Sequence, residues 1–99
     1  MTTSTTNLVN MTANEIVGLL KKREVTPAEL LDALRERISE VDNKVNALPT
    51  LCWERAYKDA DKISNLSFDE RGILAGLPVA IKDLQPVSGV RSTWGSPIY

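Results

Sequence analysis

One compact apolar run, Leu77-Pro78-Val79-Ala80-Ile81, bounded by Gly76 and Asp83, constrains this chain more than any other feature. A run without polar alternation fits a strand buried on both faces, as in a parallel or mixed sheet under helical cover. A proline at its start is tolerated. Such a strand needs a neighbour on each side. The only other candidate, Val45 to Leu51, is short, partly apolar and interrupted by Pro49, which fits a sheet edge. The expected fold class is therefore α/β, a mixed sheet covered by helices. This chain would contribute about three helices and one buried strand, and sequence outside it would contribute the rest. The stop on two apolar residues, Ile98-Tyr99, points the same way.

The helices announce themselves by their caps. Thr12-Ala13-Asn14-Glu15 fits a capping box, followed by Ile16, Leu19 and Leu20 at helical spacing and closed by Lys21, Lys22 and Arg23. Thr26-Pro27-Ala28-Glu29 repeats the box with proline at the first helical position. Leu30, Leu31, Leu34, Ile38 and Val41 then mark a buried face, opposite Asp32, Arg35, Glu36 and Glu40. Asn43 and Asn46 mark its exit. A third helix is expected over about residues 52–65. Trp53, Ala56, Tyr57, Ala60 and Ile63 line its inner side, and Glu54, Arg55, Lys58, Asp59, Asp61 and Lys62 form a solvated face. Residues 1–11, rich in Thr, Ser and Asn, read as a disordered tail, and residues 12–99 as an incomplete domain.

Composition removes several classes of function. At 99 residues the prior is one domain or part of one. With 12 Lys+Arg against 13 Asp+Glu there is no basic excess, so nucleic-acid binding is not expected. No apolar run approaches the roughly 20 residues needed to span a bilayer, and the N-terminus lacks the basic-then-apolar order of a secretory signal. The expectations are no membrane partner and a cytoplasmic location. With no histidine and one cysteine, Cys52, the chain carries no imidazole-based triad, no histidine-ligated metal and no internal disulfide. Cys52 reads as a small core residue near a helix start.

Lys82 follows the apolar run directly. The pattern alone favours a strand that simply ends there, with the lysine snorkelling to water. The functional alternative is a ligand position at the carboxyl end of a buried strand, where α/β sheets place their sites. For Asp83 the two readings are a structural hold on the turn after the strand and a hydrogen bond that orients an active-site loop. Trp94 reads as a core aromatic.

The block Gly76-Leu77-Pro78-Val79-Ala80-Ile81-Lys82-Asp83-Leu84 closely resembles the lysine segment of the amidase signature family. The resemblance continues through Val87, Gly89, Val90 and Ser92-Thr93-Trp94-Gly95-Ser96-Pro97. Upstream it includes the capped helix, Arg23-Glu24-Val25-Thr26-Pro27-Ala28-Glu29-Leu30, Val45-Asn46-Ala47 and the charged helix, so it runs from about Thr12 to Tyr99. It implies the N-terminal portion of the amidase signature fold, in an enzyme hydrolysing a carboxylic amide C–N bond with a Ser–cisSer–Lys triad. The class is an amidase or a protein like the amidotransferase A chain, and these residues do not separate the two.

Lys82 is the position that matches the catalytic lysine, the general base. The bridging serine, the nucleophile and the oxyanion hole belong to a later Gly/Ser-rich segment, so the chain alone is expected to be inactive. Ser92 and Ser96 match the loop after the lysine, not that segment. No metal or organic cofactor is implied, and the expected partner is a small amide substrate. The role is demanding: a base must be neutral, whereas free lysine titrates near about 10.4. Burial lowers that by as much as about 3–5 pH units, and three units ask roughly 4 kcal/mol of the surrounding fold. The alternative reading is a non-catalytic helical binding module, or a gene remnant, that buries its apolar surface against a partner or in a homodimer. A helical nucleic-acid or membrane-surface module fits least, because no helix carries a basic face.

Overall fold

A computed structural model describes residues 5–96 and 98; side chains are described from residue 8 onward, except that of residue 68. It contains four α-helices, α1 (Thr5–Asn10), α2 (Ala13–Lys21), α3 (Pro27–Val45) and α4 (Trp53–Ser64), and a 3-10 turn at Phe68–Glu70. Helix α3 is the spine, with α1 and α4 both packed against it.

Both expected capping boxes form. The Thr12 hydroxyl accepts the Glu15 N–H and the Glu15 carboxylate accepts the Thr12 N–H, each at 3.2 Å. At α3 the equivalent bonds of Thr26 and Glu29 are 3.1 and 3.3 Å, with Pro27 just inside the helix. Such a cap stabilises by about 1 kcal/mol.

The exits are equally specific. Arg23 turns α2 off in the left-handed region at φ 58°, and the Glu24 and Arg23 N–H groups return to the Leu19 and Leu20 carbonyls, a Schellman closure. Asn46 does the same for α3 at φ 55°, and Asp42 accepts the Ala47 and Leu48 N–H groups at 2.8 and 3.3 Å. Arg71 closes α4 by donating to the Ser64 and Leu66 carbonyls.

The core lies at one end of the spine: Leu8, Leu20, Val25, Leu30 and Ala33 are buried together, with Val9, Met11, Ile16 and Leu19 against them. On α3 the expected stripe holds, Leu30 and Leu31 buried and Leu34, Ile38 and Val41 half-buried. The α4 stripe behaves likewise, with Ala60 buried, Trp53, Ala56, Tyr57 and Ile63 half-buried, and the charged face exposed. Tyr57 donates to Asp32, which raises the phenol's pKa, and the Arg35 guanidinium sits 5.7 Å from the Trp53 ring centre, so α3 and α4 are also joined by polar contacts.

Two expectations are corrected. The α/β fold with a buried strand is not what forms. No strand or sheet is present among the described residues, and the chain is helical with irregular connections. The Leu77–Ile81 run has no ladder, and Val79 and Ile81 are 70% and 57% exposed. The edge candidate at 45–51 is no strand either. The physical reason is partnership. A strand exists by its inter-strand hydrogen bonds, and nothing in these residues offers a second strand to supply them.

The second correction concerns the tail. Of residues 1–11, 1–4 lie outside the described residues, but Thr5–Asn10 is a helix whose Leu8 is only 5% exposed. A helix this short has no independent stability, so its packing on α3 is what forms it.

Candidate functional site

The segment that carries Lys82 leaves α4 and crosses the α2–α3 corner. Gly76 makes that crossing close. It lies at φ +93°, and a Cβ there would stand 3.0 Å from Pro27 Cγ and 3.2 Å from Leu20 Cδ2. Both the backbone angle and the contact exclude a larger residue without rearrangement. Lys82 itself is exposed, and among the described residues its ammonium group has no hydrogen-bond or ion-pair partner. Its carbonyl accepts the Gln85 N–H at 2.9 Å, which starts a turn.

Asp83 is the organising group. Its Oδ1 accepts the Thr93 N–H at 2.9 Å, and its Oδ2 accepts the Thr93 hydroxyl at 2.6 Å and the Gly95 N–H at 3.1 Å. These bonds, led by the Thr93 hydroxyl, hold the Asp83 carboxyl below the usual carboxylate range. Trp94, between the two donor residues, and Gly95 both take positive φ, 55° and 73°. Further along the same loop, Arg55 of α4 donates to the Ser88 carbonyl. Ser92 and Ser96 serve local turns, the first donating to the Val90 carbonyl and the second accepting the Ile98 N–H.

Sequence reasoning singled out Lys82 and weighed Asp83, but not the residues that Asp83 binds ten and twelve positions on. A Thr-x-Gly stretch after an aspartate gave a weak turn signal and no pairing. The Arg55 tether had no sequence signal. Two side-chain expectations are corrected: Trp94 is 58% exposed rather than in a core, and Cys52 is exposed at the start of α4 rather than buried. Trp94 stands on a loop without buried neighbours, and Cys52 precedes the first turn that faces α3. Among the described residues no group of three or more acidic, cysteine or histidine side chains could hold a metal, and no helix is long and apolar enough to cross a membrane.

The Amidase family model matches residues 29–99, a span that includes most of α3, all of α4 and the whole Lys82–Gly95 loop. The chain belongs to the Amidase family. This amidase-family chain is 38% identical over 91 residues to the A chain of the glutamyl-tRNA(Gln) amidotransferase of Halothermothrix orenii, an alignment covering 92% of the chain and 18% of that protein. It is 36% identical over 92 residues to the protein of the same name from Shouchella clausii, covering 93% and 19%. With the Geobacillus kaustophilus protein it shares 38% over 94 residues, again 93% and 19%. The chain thus spans under a fifth of the length of these curated relatives, a fragment of the full family sequence. No solved structure matches it.

Proposed function

We propose that this chain is the N-terminal part of an amide C–N hydrolase of the Ser–cisSer–Lys type, with Lys82 as its general base. The observation that carries the reading is the Gly76–Leu84 block, which lies within the family match at residues 29–99 and brings Lys82 with it. In this reading the lysine acts through a bridging serine on the nucleophilic serine, both supplied by later sequence. In this chain Lys82 is exposed. The base is completed only when further sequence covers the loop, and the chain alone is inactive.

The test is Lys82→Ala in the longer polypeptide that carries this segment, assayed by ammonia release from a panel of small primary amides. Loss of a general base lowers kcat by about 10²–10⁴-fold, with the circular dichroism spectrum unchanged. Near-normal turnover would refute the role of Lys82.

A second, narrower reading rests on the relatives' names: the longer protein serves as one component of an amidotransferase rather than as a free-standing amidase. Amide hydrolysis that requires an added partner protein supports it, and full activity of the single polypeptide overturns it.

A further inference from the structure

None of residues 83–95 is buried. No side chain of this loop is anchored in the buried core, although Val87 and Val90 are half-buried. Beyond its local turns at Val87–Val90 and Ser92, polar contacts tie it at two places. Asp83 gathers the Thr93 N–H, the Thr93 hydroxyl and the Gly95 N–H, and Arg55 moors the Ser88 carbonyl to α4. The bonds to Asp83 are charge-assisted, the stronger kind. They also hold Trp94 in a left-handed backbone conformation that a bulky residue does not adopt unaided. Lys82 is covalently next to Asp83, and its carbonyl is itself fixed by Gln85. Closing the loop therefore fixes the backbone from which the lysine side chain departs, and sets Thr93-Trp94-Gly95 beside it.

We infer that Asp83 is a positioning residue: it closes the 83–95 loop on Thr93 and Gly95 and so sets where Lys82 stands for amide chemistry. The inference rests on the reading of Lys82 as the base. Because the loop contributes nothing to the buried core, removing the carboxylate leaves the helices in place and disturbs only the loop.

Two measurements test it. In the 99-residue chain, nitrogen-15 NMR follows the amides of Thr93 and Gly95 in the parent, Asp83→Ala and Thr93→Val. Asp83→Ala shifts both amides and accelerates their exchange, Thr93→Val does so more weakly, and the α3 amides do not move. Unmoved Thr93 and Gly95 amides overturn the clamp.

In the longer polypeptide, Asp83→Ala lowers kcat by about 10–10²-fold with KM little changed, the effect of a misplaced reacting group. The double variant with Lys82→Ala is no slower than Lys82→Ala alone, because Asp83 acts through Lys82. Normal kcat in Asp83→Ala beside a crippled Lys82→Ala overturns the positioning role alone. Losses that multiply in the double variant overturn action through Lys82. Unchanged kcat in Lys82→Ala overturns the base reading and, with it, any role exerted through that lysine.

Discussion

The helical part of the molecule and the segment after Ser64 treat apolar residues in opposite ways. Leu8, Leu20, Val25, Leu30, Leu31, Ala33 and Ala60 are buried, all of them on α1 to α4 or the α2–α3 link. Ile73, Leu74, Val79, Ile81, Leu84, Trp94 and Ile98 are exposed beyond α4, whereas before it the exposed large apolar residues are Val45 at the end of α3 and Leu51 in the link to α4. The difference is one of partnership rather than hydrophobicity. A helix satisfies its own backbone and needs only one covered stripe, so α1, α2 and α4 can bury their stripes with α3 as the spine. An extended apolar run satisfies neither backbone nor side chains until another strand or surface arrives. The first region is held by packing, the second by a few polar ties, Asp83 among them.

The largest contrast is expected from paired truncations. Leu30→Ala removes a side chain that is 4% exposed at the centre of the core, and costs about 2–5 kcal/mol. A chain this small loses much or all of its helical circular dichroism. Val79→Ala, at 70% exposure, stays within about 0.5 kcal/mol of the parent. Urea titrations of the two variants check this, and equal losses would mean that the apolar run is buried in solution, for instance in a dimer.

A smaller effect falls at the junction of the two regions. Gly76→Ala forces a side chain into positive φ against Pro27 and Leu20, with strain of order 1–3 kcal/mol. It should loosen residues 72–78 from the α2–α3 corner and lower the urea midpoint. A midpoint equal to the parent's would show that this crossing is not tightly held.

The smallest effect is a local one of pH. The folded Asp83 carboxyl titrates below its ordinary value of 3.8 because the loop donors favour the ionised form. Loop closure is therefore fully present above the unfolded value and is lost as pH falls through the lowered folded one. Thr93 and Gly95 amide shifts should stay constant from neutral pH to about 5 and change only below 3.8. A transition above that value would contradict the bonding described for Asp83.

How much of this was legible in advance follows from the range of each interaction. The caps at Thr12 and Thr26 and the stripes of α3 and α4 depend on residues three to seven apart, so reading along the chain finds them. Of the candidate site, Lys82 was legible as a motif position. The Asp83 tie to Thr93 and Gly95 and the Arg55 tie to Ser88 join residues 10, 12 and 33 apart, and no local pattern announces them. Helix α1 was missed for the same reason: its stability comes from Leu8 meeting the core, not from its own composition.

The sequence by itself determined where α2, α3 and α4 start and stop, which faces they bury, and the family to which the lysine block belongs, because capping and periodicity are local and a motif is read residue by residue. Only the tertiary structure decided the state of Leu77–Ile81. Leu77 and Pro78 are half-buried where the chain crosses the α2–α3 corner, but Val79, Ala80 and Ile81 are exposed, because burying the rest of the run requires a further partner surface that no element among the described residues supplies.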